Sequence, residues 1–372
     1  MTRAVVIAAG GTGGHMFPAL SLAAELRARG QPVVIACDAR GVRYVGAGID
    51  HCLIQAASPT GRWRARLGGL GRLAIGLGQS LHFLRGTRPG AVAAFGGYAA
   101  VPIGLAAALL RIPLLVHEQN AVLGRANRMI VRRAARLALT FAATRGAEAV
   151  PAARQVVTGN PVRAEVAALR DRPYLAPVAG QPVRVLVVGG SQGARIFSEI
   201  VPAAIARLSK PERARLALTQ QCRPEDLQRV ASAYAGLGFQ AELAPFFEDL
   251  PERMTASHLI VSRAGASSVA ELLALGRPAL LVPYRFAADD HQSANAAAVS
   301  RAAAGWVIEE TKLDAEALAG RLRSALDQPQ DLIELARRAA ALGRSDAASA
   351  LADEVQSLLA PAALKMEMEA LA

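Results

Sequence analysis

The stretch that decides the fold reads Ala4-Val5-Val6-Ile7-Ala8-Ala9 and then Gly10-Gly11-Thr12-Gly13-Gly14-His15. A second copy of the same pattern stands halfway along the chain. There Val183-Arg184-Val185-Leu186-Val187-Val188 runs into Gly189-Gly190-Ser191-Gln192-Gly193-Ala194-Arg195. Each is an apolar run of the length of a buried parallel strand, followed by a turn with almost no side chains and then by a helical pattern. Such a turn presents backbone N–H groups at a helix N-terminus, where the helix dipole favours an anion. Two of them predict two nucleotide-type domains facing one cleft.

Working outward from the turns, short apolar strands alternate with helices along the chain. In the first half the strands are expected at Val5–Ala8, Val33–Cys37, Cys52–Gln55, Val92–Phe95, Leu114–His117, Leu137–Phe141 and Val156–Thr158. In the second they are expected at Val185–Val188, Arg215–Thr219, Ala241–Pro245, Leu259–Val261, Ala279–Val282 and Val307–Ile308. This alternation implies parallel sheets with right-handed crossovers, covered on both faces. The first helix is expected from Pro18 to Arg29, with Gly30 as its stop. Asp171 to Pro182, with Pro173, Pro177 and Pro182, reads as a linker between the halves. Helices near Asp314–Leu326, Leu332–Leu342 and Ala347–Leu359 close the pattern, and Pro361 to Ala372 is expected to fray.

A chain of 372 residues, 52% hydrophobic and only 19% charged, suits two cores and excludes a disordered chain. Cys37, Cys52 and Cys222 lie far apart, which argues against a disulfide framework or a zinc site. The net charge of +12 is carried almost wholly by arginine, so its distribution says more than its size. No acidic residue occurs between Asp50 and Glu118, while Arg62, Arg64, Arg66, Arg72, Arg85, Arg88 and Arg111 all fall there. Ala4–Ala24 and Pro89–Leu110 are uncharged and long, but glycines and Pro102 interrupt them. They read as strand–turn–helix units, with no export signal or transmembrane segment expected.

Three phosphate-site readings compete for the glycine turns. A Walker loop needs Lys-Ser/Thr after its last glycine, and neither turn has it. The dinucleotide fingerprint lacks its third glycine, although Asp38 stands where a ribose-binding acid belongs, which keeps an oxidoreductase in view. A two-domain glycosyltransferase is the third reading. The stronger signal lies between Ser262 and Asn295. After a strand, Arg263-Ala264-Gly265-Ala266-Ser267-Ser268-Val269-Ala270-Glu271 opens a helix whose small residues Ala266, Ser267 and Ser268 admit a diphosphate. Glu271, a turn later, can accept two ribose hydroxyls, or can be a solvated first-turn acid. Gln292 and Asn295 share a helix face, either to read sugar hydroxyls or as an ordinary polar surface.

These residues resemble one family closely, the MurG glycosyltransferases. The resemblance is carried by Gly11-Thr12-Gly13-Gly14-His15-Met16-Phe17-Pro18, Phe95-Gly96-Gly97-Tyr98, His117-Glu118-Gln119-Asn120 and Gly159-Asn160-Pro161-Val162-Arg163. It continues through Gly189 to Arg195, Arg263 to Glu271 and Asp290-His291-Gln292, in family order. It implies a GT-B fold, two Rossmann-like parallel-sheet domains facing a central cleft. An acceptor- and membrane-facing domain is expected over 1–163 and a UDP-sugar domain over 164–343. The segment 344–372 is expected as a helix packing back towards the first domain, with a frayed tail.

The activity implied is inverting transfer of N-acetylglucosamine from UDP-N-acetylglucosamine to the 4-hydroxyl of the N-acetylmuramic acid of lipid I, forming lipid II for peptidoglycan. By motif position, Ser191, Arg163 and the turn around Ser268 would meet the diphosphate. Glu271 would hold the ribose, and backbone near Phe247 the uracil. Asn120 and Gln292 would touch the sugar, with Thr12, Gly13 and Gly14 lining the opposite wall. His15 is the expected base and Glu118 the reserve. No Asp-x-Asp motif occurs, so no metal and no cofactor are expected, with helix N-termini and Arg163 or Arg195 stabilising the departing UDP. The chain departs from the family at Gln220-Gln221-Cys222-Arg223, where many members carry a histidine, and that puts any role for the usual histidine in doubt.

The stretch Arg62–Arg88 then has a use. Trp63, Leu67, Leu70, Ala74, Leu77, Leu81 and Leu84 recur at helical spacing and are expected to pack mostly on the sheet. Leu73, Ile75 and Phe83 fall outside that stripe. Apolar remnants ringed by arginines suit an interface helix on anionic lipid. The segment lacks nucleic-acid recognition motifs, so no nucleic acid is expected. The location implied is peripheral, on the cytoplasmic side of the inner membrane, near other cell-wall synthesis proteins. Another UDP-sugar or lipid acceptor is the alternative within the fold. A dinucleotide-dependent oxidoreductase and a catalytically silent sugar-nucleotide binder stand outside the class.

Overall fold

A computed structural model describes residues 3–57, 63–190 and 193–359, with the backbone alone over 63–67. Ser191, Arg62 and the tail from Pro361 lie outside the described residues. Two compact units result. One takes in the chain up to Val162 and the segment from Asp346, and the other runs from Arg163 to Ser345.

The first unit carries β1 (Val5–Ala9), β2 (Val33–Cys37), β3 (Asp50–Leu53), β4 (Ala91–Ala94), β5 (Leu114–Glu118), β6 (Arg136–Leu139) and β7 (Gln155–Val157). They form one sheet in the order β3-β2-β1-β4-β5-β6-β7, every pair parallel. Its helices are α1 (Gly13–Ala28), α2 (Trp63–Thr87), α3 (Ala100–Leu109) and α4 (Arg125–Ile130). β1 is apolar throughout because both its faces are covered. Val5 and Ile7 pack with Leu22 and Leu26 of α1, whereas Val6 and Ala8 pack with Ile103 of α3. The expected span Cys52–Gln55 forms two residues earlier, as β3, where Val34 pairs with Asp50.

The second unit opens with α5 (Ala164–Ala167) and carries β8 (Val183–Val188), β9 (Leu216–Gln221), β10 (Ala241–Ala244), β11 (Leu259–Ser262), β12 (Ala279–Leu281) and β13 (Trp306–Val307). They form a second parallel sheet, in the order β10-β9-β8-β11-β12-β13. Its further helices are α6 (Arg195–Ala206), α7 (Lys210–Ala214), α8 (Leu227–Gly236), α9 (Leu250–Ala256), α10 (Ala266–Ala274), α11 (His291–Arg301), α12 (Ala315–Asp327) and α13 (Pro329–Leu342).

The last described helix, α14 (Ala347–Leu359), belongs to the first unit. Leu351, Ala352 and Val355 are fully buried in the core that α1 and β1 share. Arg29 at the end of α1 ties it down, donating to Ser349 Oγ at 2.7 Å and Gln356 Oε1 at 2.8 Å.

Two expectations need correction. The proline-rich stretch from Asp171 is no linker between the units; it lies wholly within the second. The buried Arg277 guanidinium donates to the carbonyls of Arg172, Pro173 and Thr255, and the Tyr174 hydroxyl donates to the His258 carbonyl. Carbonyls satisfied by a buried cation hold this segment against the domain.

In α2 the apolar stripe meets the core at Leu77, Leu81 and Leu84 but not at Leu70 or Ala74, because small residues set part of the buried side. Leu73, Gly76, Ser80 and Leu84 face inward. A Cβ at Gly76 would stand 2.1 Å from the Gln55 carbonyl oxygen, so only glycine permits this approach. The helix is rotated accordingly, leaving Leu70 and Ile75 each 54% exposed. Among the described residues, no helix is long and apolar enough to cross a membrane.

Candidate active site

In each sheet the strand order reverses once, between β1 and β4 in the first and between β8 and β11 in the second. Open α/β sheets bind ligands beyond the carboxyl ends of their strands at that reversal, because the flanking crossovers leave opposite faces there. Both glycine turns of the sequence stand at these points, one after β1 and the other after β8. Helix α1 begins at Gly13, earlier than the expected Pro18, so Gly13, Gly14 and His15 form its first turn. Thr12 is its N-cap residue but makes no side-chain capping bond.

In the first unit, His15 comes from the β1 end, Gly96-Gly97 from the β4 end and Gln119 from the β5 end. Gly97 has φ +70°, and a Cβ there would stand 2.5 Å from Gly10 Cα and 3.3 Å from the His15 ring. Glycine at 97 thus lets two backbone turns close on each other with the imidazole laid beside them. His15 Nδ1 lies 3.1 Å from Gln119 Oε1. Gln119 Nε2 in turn faces the Phe95 carbonyl at 3.0 Å, the His117 carbonyl at 3.2 Å and His117 Nδ1 at 3.0 Å. His117 is fully buried, and its Nε2 meets the Gly159 carbonyl at 2.9 Å. Burial pushes its pKa down to about 4, against a smaller upward pull from the Gly159 bond, so the ring is neutral near pH 7.

Glu118, the expected reserve base, is heavily engaged within its own loop. Glu118 is 1% exposed. Its Oε1 accepts from the backbone N–H and the side-chain amide of Asn120, at 3.0 and 3.2 Å. Its Oε2 accepts from the Gly124 N–H and the Asn127 amide, both at 2.8 Å. A carboxylate with its lone pairs taken in this way organises the loop around it. Asn120 is held by it, half-buried.

In the second unit, α10 begins at Ala266 with Gly265 as an N-cap that offers no side chain. Ser267 Oγ is buried there with no hydrogen-bond partner among the described residues. Ser268 is half-buried beside it. An uncapped helix start with an unspent hydroxyl suits a phosphate. Glu271, one turn on, is buried and held by Arg163, with Nε to Oε1 at 2.7 Å and one guanidinium NH₂ to Oε2 at 3.0 Å. Arg163, expected at the diphosphate, is thus paired with Glu271, the residue expected at the ribose. Arg195, at the start of α6, is largely exposed and paired with Glu199.

Asn295, expected beside Gln292, sits deeper than its partner. It is 0% exposed and donates to the Ala264 carbonyl at 3.0 Å, fastening the turn before α10. Gln292, on the same helix, is half-buried and accepts from the Tyr284 N–H at 3.0 Å. Asp289 and Asp290, just before it, are both left-handed, with φ 53° and 55°. Such backbone persists only where its surroundings impose it. Phe247 is buried under the Arg253 guanidinium, 4.5 Å from its ring centre. Asp38, the ribose acid of the oxidoreductase reading, is already engaged by Arg40 and the Gly41 N–H.

The sequence reading passed over Gln119 and Asn127. One signal pointed to Gln119: it follows His117 by two residues at a strand end, where alternation puts both side chains on one face. Asn127 offered none, because its role depends on how α4 meets β5.

Two Rossmann-like parallel sheets, each with its ligand-type turn at the reversal point, define the GT-B architecture. Comparison with known proteins agrees. Residues 5–139 match the glycosyltransferase family 28 N-terminal domain and residues 184–351 its C-terminal domain. Two similar proteins both carry the name UDP-N-acetylglucosamine--N-acetylmuramyl-(pentapeptide) pyrophosphoryl-undecaprenol N-acetylglucosamine transferase. That of Paramagnetospirillum magneticum is 48% identical over 95% of this chain and 96% of its own. That of Rhodospirillum centenum is 51% identical over 74% of this chain and 73% of its own. The crystal structure of Acinetobacter baumannii MurG superposes with a TM-score of 0.78 at 30% identity, covering 96% of this chain and 100% of that one. The chain belongs to the MurG family of glycosyltransferases.

Proposed function

We propose that this protein transfers N-acetylglucosamine from UDP-N-acetylglucosamine to the 4-hydroxyl of the N-acetylmuramic acid of lipid I, giving lipid II with inversion at the anomeric carbon. The observation that carries the reading is family membership along nearly the whole chain, with relatives that bear this activity in their names. The second unit binds the donor. The first turn of α10, with Ser267 and Ser268, takes the diphosphate together with the turn at Ser191. Glu271, oriented by Arg163, accepts from the ribose; backbone at Phe247 meets the uracil, and Gln292 the sugar.

In the first unit His15 takes the proton of the acceptor hydroxyl as its oxygen attacks the anomeric carbon. The bond to the diphosphate breaks as the new one forms, and its electron pair leaves with UDP. Thr12, Gly13 and Gly14 flank the base, and Asn120, held by Glu118, contacts the sugar. A general base contributes about 10²–10⁴-fold. The helix N-termini at these turns stabilise the leaving group without a divalent cation.

A lipid-linked acceptor calls for a membrane surface. A groove of about 810 Å³ in the first unit is lined by residues that include Leu77, Leu105, Leu109, Arg111, Ile112 and Arg133. Leu109 is 65% exposed, and Leu70 and Ile75 of α2 project nearby in sequence from the arginine-rich segment. These groups support peripheral docking on anionic lipid at the cytoplasmic face. Calorimetric titration with UDP-N-acetylglucosamine and with NAD tests the class directly. Donor binding without NAD binding is expected, and the reverse would return the oxidoreductase reading.

A further inference from the structure

We propose that Gln119 is a positioning residue that fixes His15 as its Nδ1–H tautomer and so places the basic lone pair on Nε2. The inference rests on the reading of His15 as base. It follows from the order in which hydrogen-bond roles are forced. The Gly159 carbonyl can only accept, so His117 Nε2 must carry the proton of that neutral ring. His117 Nδ1 is then an acceptor, and the group facing it at 3.0 Å must donate.

That donor is the Gln119 amide nitrogen, which also faces the Phe95 and His117 carbonyls at 3.0 and 3.2 Å. Turning the amide over would aim its oxygen at two carbonyl oxygens and a ring lone pair, so the orientation is fixed three times over. Gln119 Oε1 therefore points at His15 Nδ1, 3.1 Å away, and an amide oxygen can only accept. The proton lies on Nδ1. The burial of His117 keeps its ring neutral, so the chain of roles does not invert near neutral pH.

The test is ¹⁵N NMR of the histidine rings in the full chain, with His15 signals assigned by their loss in His15→Gln. Neutral His15 protonated at Nδ1 is expected in the wild type; protonation at Nε2 overturns the proposal without any variant having to fold. In Gln119→Leu the tautomers are expected to mix, with kcat about tenfold lower and donor KM unchanged. That loss should stay below the roughly 10²–10⁴-fold of removing the base itself. An unchanged tautomer in Gln119→Leu overturns the proposal. Full turnover of His15→Ala would instead overturn the base reading, and the tautomer measurement is independent of it.

Discussion

Arg163 grips Glu271 through two parallel hydrogen bonds, Nε to Oε1 at 2.7 Å and NH₂ to Oε2 at 3.0 Å. Such a fork fixes the plane of the carboxylate as well as its charge. Two of its lone-pair positions are used, and a carboxylate has about four, so capacity remains for two ribose hydroxyls. The pair explains why an arginine just beyond the first sheet belongs to the second unit.

Replacing Arg163 by methionine therefore leaves Glu271 charged, largely buried and unheld. Donor Kd is expected to rise about tenfold or more, by the usual cost of about 1.5–3 kcal/mol for a charged hydrogen bond, with a smaller change in kcat. Glu271→Gln should weaken donor binding similarly. Calorimetry with UDP-N-acetylglucosamine reads both; unchanged Kd in both variants would remove the ribose role.

For Glu118, the four accepted bonds make a stability prediction that a base would not. Glu118→Gln puts an NH₂ group against donors that had an oxygen, costing about 1–3 kcal/mol for each one left unsatisfied. Urea unfolding should show that loss. Turnover of whatever remains folded should keep the pH dependence of the wild type, and a lost limb in the pH profile would reinstate Glu118 as a base.

His15→Ala is expected to lower kcat about 10²–10⁴-fold while donor Kd holds, as measured by single-turnover kinetics beside calorimetry. Wild-type turnover in the variant removes His15 from the role.

Acid should weaken the fold before carboxylates begin to protonate. His117 and His258 are buried, and burial holds each to about pH 4, below the ordinary value near 6.5. Between those values the unfolded chain binds more protons than the folded one. Stability is therefore highest above about pH 6.5 and falls as pH drops towards 4, by up to about 3 kcal/mol from His117. Melting temperature against pH from 7.5 to about 4.5 checks this. A flat profile across that window would contradict the assignment.

Leu70, Ile75 and Leu109 give the membrane reading a local test. Changing all three to serine should weaken sedimentation with anionic vesicles several-fold and leave donor binding intact. Added salt should weaken the wild type as well, since each nearby arginine contributes about 1 kcal/mol at such a surface. Unchanged vesicle binding places docking elsewhere.

Both sheets were legible in the sequence because their strands are short, apolar on both faces and punctuated by glycine. Strand ends drifted where polar residues joined the ladder, as Asp50 and His51 do in β3. The face of α2 was only partly legible because Gly76 and Ser80, which are not apolar, permit the close approach that orients the helix. At the site, motifs revealed which residues gather but not how they share hydrogen bonds. Glu118, Asn295 and Arg163 all stand where the sequence put chemistry, and the structure shows each holding another group in place. Burial and partner geometry depend on the folded surroundings, which spacing does not encode.

The most direct measurement is transfer itself: purified protein, UDP-N-acetylglucosamine labelled in the sugar, and lipid I in detergent or vesicles, with the product's anomeric configuration read by NMR. Labelled, β-linked lipid II formed at an undiminished rate in EDTA is the expected result. Tight donor binding with no transfer to lipid I, or transfer with retained configuration, would contradict the account.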